Sequence, residues 1–292
     1  QMCIRDRTNR IMTRLLLSIL CVMLSAMAFA QDEPTTLRPV TSSYTYEIGG
    51  ATLANTYLTP LKYKGWDMAL NYERMQAMKF NPEKWVMRLT AGIDLNRTDN
   101  PAKNATMWRL VADFSWGMTY RFKLPHNITL AGGGSTSLDL GCVYNARNGN
   151  NPVAVEAAWT VNLTGYASWN VKIGRLPVTL RYQPTIPLTG VFFSPDYGEL
   201  FYEIYLGNHS GLAHCAWWGN YFRMENLVTA DMHLGATSLR VGFRNNILST
   251  SINDITTRTI TYSAVIGVTT EWISLNPSRK ADNNARIISA LY

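Results

Sequence analysis

Residues Met107–Leu124 read MWRLVADFSWGMTYRFKL. Trp108, Leu110, Ala112, Phe114, Trp116, Met118, Tyr120, Phe122 and Leu124 fall at every second position, with Arg109, Asp113, Ser115, Thr119, Arg121 and Lys123 between them. Successive side chains of a strand point to opposite faces, so this is an extended chain with one greasy face and one charged face. It runs for about 18 residues, roughly twice the usual length of a soluble strand. That length with that alternation predicts a strand crossing a membrane in a β-barrel.

The rhythm recurs. Lys84–Arg97 places Trp85, Met87, Leu89, Ala91, Ile93 and Leu95 on one face, and Val155–Lys172 does the same with Trp159, Val161, Leu163, Ala167 and Trp169. Weaker copies lie at Tyr44–Gly49, Trp66–Met78, Ile128–Tyr144, Leu176–Val191, Asn220–Leu234, Leu239–Thr250 and Arg258–Trp272. Together these make about ten antiparallel strands, an all-β outer-membrane barrel over residues 43–272. Glu199–Leu206 and Gly211–Trp218 would add a further pair and give twelve. Gly132–Gly134 mark a bulge or a close approach by a neighbour, and Pro184 and Pro187 break the seventh ladder.

Connections alternate in length. Those at Asn81–Glu83, Pro125–Asn127, Ile173–Arg175 and Gly235–Thr237 are short. Those at Gly50–Gly65, Thr98–Thr106, Ala146–Pro152, Thr189–Gly219 and Ser251–Thr257 are longer. Barrels of the outer membrane have short periplasmic turns and longer external loops, so both termini are expected in the periplasm.

Gln1–Arg7 resembles translated sequencing adaptor, and residues 1–11 are set aside as non-native. Arg14, the apolar run Leu15–Met27 and Ala28-Phe29-Ala30 then form a secretory signal peptide over 12–30, followed by a periplasmic linker over 31–42. Discarding Arg5, Arg7, Arg10, Arg14 and Asp6 lowers the net charge from +7 to +4 for residues 31–292. No basic run tracks a nucleic-acid backbone, and export removes the chain from nucleic acid. No apolar stretch after Ala30 is long enough for a membrane helix. Cys142 and Cys215 would face an oxidising compartment, where they either pair or serve as small apolar residues on separate strands.

Trp66, Trp85, Trp108, Tyr120, Phe122, Trp159, Trp169, Phe222, Tyr262 and Trp272 lie near strand ends or on the lipid-facing parity, as interface aromatics do. LTPLKYKGW at Leu58–Trp66, NYER at Asn71–Arg74, FNPEKW at Phe80–Trp85, FFSPDYG at Phe192–Gly198 and LGNHSG at Leu206–Gly211 resemble an outer-membrane family of unknown function from anaerobic gut Gram-negative bacteria. The resemblance implies a fold and a compartment, and carries over no functional residues. The last strand would end at Trp272, leaving residues 273–292 as a polar C-terminal tail.

Alternation turns Arg88, Asp94, Arg109, Asp113, Arg121, Glu156, Arg181, Arg223, Glu225, Arg240 and Arg244 to the lumen, with Asp67, Glu73, Asp139 and Asp231. A barrel of about ten strands leaves little open space, so mixed charges either pair across the lumen or line a narrow solute path. The sharpest enzymatic motif is His209-Ser210, with His214 and Asn220 nearby, as for a lipid hydrolase. Adjacent residues on a strand face opposite ways, so that chemistry requires a loop. No metal spacing or phosphate-cradling loop is present, and no cofactor is implied. The reading is a monomeric outer-membrane barrel, a non-enzymatic narrow channel or structural and surface-interaction protein. Its partners are membrane lipids and, during biogenesis, the barrel-assembly machinery. Alternatives are the hydrolase and a soluble periplasmic ligand-binding barrel.

Overall fold

A computed structural model describes residues 36–149, 151–207, 211–235, 237–273 and 286–291. The adaptor-like stretch and the expected signal peptide lie outside them, as do His209 and Ser210. The strands are β1 (Val40–Asn55), β2 (Thr59–Ala77), β3 (Trp85–Asp99), β4 (Thr106–Leu124), β5 (Ile128–Asn145), β6 (Val153–Ile173), β7 (Leu176–Phe193), β8 (Ala213–Ala216), β9 (Tyr221–His233), β10 (Thr237–Ile252) and β11 (Ile255–Trp272). Each long strand pairs antiparallel with its neighbours in sequence. β1 closes on β11 through the register Val40↔Trp272 to Asn55↔Thr257. All but β8 form the closed ring, a ten-stranded antiparallel barrel.

In β4, Trp108, Leu110, Ala112, Phe114 and Trp116 are exposed on the outer wall, while Met107, Arg109, Val111, Thr119 and Arg121 are buried within. The same parity holds in β6, where Trp159, Leu163 and Trp169 face outward. Among the described residues no helix is long and apolar enough to cross a membrane. Aromatic clusters flank the apolar band. At one end Trp66 meets Trp108 edge-on at 6.0 Å, with the Arg97 guanidinium 5.7 Å from the Trp108 ring. At the other, Trp85 packs against Tyr120 at 5.4 Å and Tyr120 against Phe122 at 4.8 Å. Trp108 and Tyr120 are about 12 residues apart on one strand, roughly 28 Å along the barrel axis at ~3.3 Å per residue and ~45° tilt, close to a hydrocarbon thickness.

The end carrying the β2–β3, β4–β5, β6–β7 and β9–β10 connections also carries the chain entry at Val40 and the exit at Trp272, and is called the turn end; the other is the loop end. Two connections expected to be long are tight. β1 and β2 are joined by Thr56–Leu58, where the Asn55 carboxamide accepts from the Tyr57 amide at 3.0 Å. β10 and β11 meet through Asn253 and Asp254, both left-handed at φ 51° and 58°, as a two-residue hairpin requires. The reason is an inversion of polarity above the Trp66 girdle. There the outer face carries Lys62 and Lys64, while Leu53, Tyr63, Met107, Val143, Ala154 and Ile255 form a buried apolar cluster inside. An apolar-outward search stops where the wall leaves the apolar band.

Three further expectations are corrected. The extra strand pair is a short helix α1 (Phe201–Tyr205) and the side strand β8, so the ring is ten-stranded and not twelve-stranded. The linker ends early, since β1 starts at Val40. Of the residues expected as a polar C-terminal tail, the described Ile287–Leu291 are docked on the barrel. Ile287 bridges Leu37 in parallel, and Ala290 and Leu291 are buried at the turn end against Met75, Val86 and Tyr166. Arg121 donates to the carbonyls of Ser289 and Ala290 at 2.8 and 3.1 Å and to those of Pro82 and Glu83 at 2.7 Å each. Hydrogen bonds from a charged donor contribute about 1.5–3 kcal/mol each. Arg121→Ala is therefore expected to release Ile287–Leu291, read as faster amide exchange there with the barrel strands still protected.

Gly133 resolves the triple glycine. The β4–β5 register is unbroken, and a Cβ at Gly133 would lie 2.1 Å from the Met118 carbonyl oxygen, so the neighbour approaches closely without a bulge. Cys142 on β5 and Cys215 on β8 are unpaired.

Candidate functional site

Near the turn end a floor of ion pairs spans the lumen. Glu73 on β2 binds Arg88 on β3 at 2.7 Å, Arg181 on β7 at 2.6 Å and Arg240 on β10 at 2.8 Å. Arg240 also makes a bidentate pair with Asp231 on β9, at 2.6 and 2.8 Å. β2 and β7 are five steps apart in either direction around the ring, so the Glu73–Arg181 pair crosses its full diameter. Arg181 and Arg240 are each only 2% exposed. Arg181 further donates to the Met75 thioether at 3.2 Å, tying the floor to the layer that receives the C-terminal segment.

Above the floor lies a chamber of about 140 Å³, walled by every strand of the ring and roofed toward the loop end. Its charges are arranged in local sets. Arg244 binds Glu47 at 2.8 Å, and Arg109 binds Glu156 at 2.8 Å and Asp94 at 3.5 Å. Arg223 binds Asp139 and, at 2.5 Å, Glu225. Asn96 bridges Asp67, Asp94 and Arg109, and Ser263 donates to Asp67. Asp113 faces Gly92, where a Cβ would lie 2.5 Å from its Oδ1, so the glycine gives that carboxylate its room.

The roof combines the apolar cluster with the β7–β8 connection. The Tyr57 hydroxyl donates to the Glu199 carbonyl at 2.7 Å, and Asn148 donates to the Leu58 carbonyl at 3.0 Å. Burial pushes the Tyr57 phenol above its usual range, with the Glu199 charge adding to it. A raised phenol means the neutral form stabilises the roof at and below its ordinary titration range, and this contribution is lost as pH rises through the folded value. Tyr57→Phe should cost about 1 kcal/mol and speed amide exchange in Ser194–Leu206.

The expected lumen residues divide into three groups. Arg88, Asp94, Arg109, Asp113, Glu156, Arg223, Glu225, Arg240 and Arg244 line the chamber. Arg181 belongs to the floor and Arg121 to the anchor of the C-terminal segment. His214 lies on β8. Its Nε2 lies 3.0 Å from the Ser194 carbonyl, and its ring packs on Phe192. Asn220 caps the turn that follows β8. Among the described residues no cluster of His, Cys, Asp and Glu could hold a metal. Alternation gave no signal for the apolar roof or for the buried C-terminal segment, whose residues follow no two-residue rhythm.

Comparison with known families matches residues 15–279 to the profile described as protein of unknown function, DUF3316. The chain belongs to the DUF3316 family. No curated protein matches the DUF3316 chain in sequence. Solved structures similar to it include the outer membrane protease OmpT from Escherichia coli, at 8% identity and TM-score 0.45, covering 83% of this chain and 99% of that one. The translocator domain of the autotransporter NalP from Neisseria meningitidis is 12% identical at TM-score 0.38, covering 89% and 97%. A Pseudomonas aeruginosa FadL homologue is 7% identical at TM-score 0.30, covering 81% and 90%. Likeness at this level transfers no activity to the DUF3316 chain.

Proposed function

We propose that this protein is a monomeric outer-membrane barrel whose lumen is shut at the periplasmic turn end. It works through its loop-end chamber and outer surface, without a through-pore and without enzymatic chemistry. The observation that carries this is the Glu73–Arg181 pair, which joins opposite walls and is backed by Arg88, Arg240 and Asp231. Charges taken from water on this scale are tolerated only when paired, and an open water path would remove the need for such a floor. The apolar outer band and its two aromatic girdles support membrane placement. Export through the leader at 12–30, delivery by the barrel-assembly machinery and contact with membrane lipids complete the proposal.

The test is single-channel recording of the full chain in planar bilayers. The parent protein is expected to insert without stepwise conductance. A steady open-channel current from the parent would contradict the closed floor.

A further inference from the structure

The outer wall turns basic above the Trp66 girdle, and it does so on one side of the ring. Lys62 and Lys64 on β2 and Arg258 on β11 are exposed on the outer face, with the half-exposed Arg97 beside them on β3. On β4–β10 the described outer face of the loop-end half carries no Lys or Arg. The cations are therefore gathered around the seam where β1 closes the barrel against β11.

The register stacks this face in rows. Gly50 of β1 pairs with Trp66 on one side and Tyr262 on the other, and the Tyr262 ring covers the glycine, where a Cβ would lie 2.5 Å from the phenol oxygen. The next outward row is Lys64, Thr52 and Ile260. The one beyond it carries Ala54 and Arg258, with Lys62 two residues past Lys64. Each row lies about 5 Å further along the barrel axis at ~3.3 Å per residue and ~45° tilt, so Lys64 stands at the depth of lipid headgroups and not of acyl chains. Between β2 and β11, which stand about 10 Å apart, β1 places only small side chains, and the long stems of lysine and arginine reach over them from both sides.

The acids nearby do not neutralise these cations. Asp99, opposite Lys64, is engaged by Arg97 at 3.9 Å and by the Thr106 hydroxyl at 2.6 Å. Asp254 lies at the tip of the β10–β11 hairpin, outside the rows. Lys62, Lys64 and Arg258 have no ion pair or hydrogen bond among the described residues. Three uncompensated cations at headgroup depth match a dianion. A phosphomonoester carries close to two negative charges at neutral pH and three acceptor oxygens, whereas a zwitterionic head brings its own cation.

We propose that the outer face of β2, β1 and β11 binds the phosphomonoester head of a lipid in the outer leaflet. Lys62, Lys64 and Arg258 hold the phosphate, and Trp66 and Tyr262 lie beneath it at the acyl boundary. This rests on the membrane placement proposed above, which puts the loop end at that leaflet.

The experiment begins with flotation of the full chain on phosphatidylcholine vesicles. The inserted protein is then extracted in neutral detergent and titrated, with native mass spectrometry as the readout, against bisphosphorylated lipid A, the same lipid stripped of its phosphates, and inorganic phosphate. One lipid A is expected to be retained per chain and not to be displaced by inorganic phosphate. The stripped lipid should be held about a hundredfold less tightly, at about fivefold for each cation engaged. Lys62→Gln, Lys64→Gln and Arg258→Gln combined should bring lipid A down to the level of the stripped lipid. Lys79→Gln, Lys123→Gln and Lys172→Gln combined, which remove the same charge at the turn end, should leave it unchanged. The comparison of the two lipids needs no variant, so it remains decisive if a triple variant fails to fold. Equal retention of the two lipids, equal loss in both triple variants, or displacement by inorganic phosphate would overturn the site and leave membrane placement standing. Failure of the parent to float with the vesicles would overturn membrane placement and the site with it.

Discussion

Glu73→Ala is expected to be the most destabilising single substitution in the lumen. Glu73 is the shared partner of Arg88, Arg181 and Arg240, and its removal leaves Arg181 with no carboxylate in this floor. Breaking a buried pair by deleting one partner costs about 3–5 kcal/mol, because the remaining charge stays out of water without compensation. Denaturant titration of the vesicle-inserted protein, followed by the gel-mobility shift of folded barrels, should show that loss. The double variant Glu73→Ala with Arg181→Met should recover part of it, since an apolar replacement of both partners removes the orphaned charge. A midpoint equal to the parent's would mean that the floor does not hold the barrel together.

Ala112→Arg should be the most damaging change on the outer wall. Ala112 is exposed between Ile93 on β3 and Leu140 on β5, near the middle of the apolar band. An arginine on the lipid face near the bilayer midplane costs about 2–4 kcal/mol. Ser115→Arg, three residues along the same strand, places its charge in a chamber that already contains Asp113 and Asp139, and should be milder. Insertion yield into vesicles and the denaturation midpoint measure both variants. Equal tolerance at the two positions would contradict an inside and an outside defined by lipid.

The difference between these two positions was legible in the sequence, because a strand reports its faces through parity. Trp108 to Phe122 alternate without interruption, and the register of β4 with β3 and β5 keeps that parity through the ring. Reading stopped where the physical contrast changed sign. From Gly50 to Gly65 the outer residues include Lys62 and Lys64 while Leu53 and Tyr63 turn inward, so strand continues where the apolar-outward pattern ends. The Asn253-Asp254 dipeptide did carry a hairpin signal, since both residues tolerate left-handed backbone, and its neighbours obscured it.

Which charges face the lumen also followed from parity. Which charges meet did not. Glu73 and Arg181 are 108 residues apart in sequence, and their contact follows from ring closure and strand tilt, neither of which is encoded locally. The anchoring of Ser289 and Ala290 by Arg121 is of the same kind, with partners 168 and 169 residues apart. Pro184 and Pro187 marked an interrupted ladder from the start. Their consequence, a break latched by Trp218, required knowing that β8 takes over from β9 along β7.

The most direct measurement of the account is a nitroxide scan of single cysteines from Met107 to Leu124, in a background lacking Cys142 and Cys215, with the protein in vesicles. Oxygen accessibility should peak at every second residue on the parity of Leu110, Ala112 and Phe114, and collisions with a water-soluble nickel chelate should be suppressed there. A profile without a two-residue period, or one in which those positions are as open to the chelate as the strand ends, would contradict a wall with lipid on its outer face.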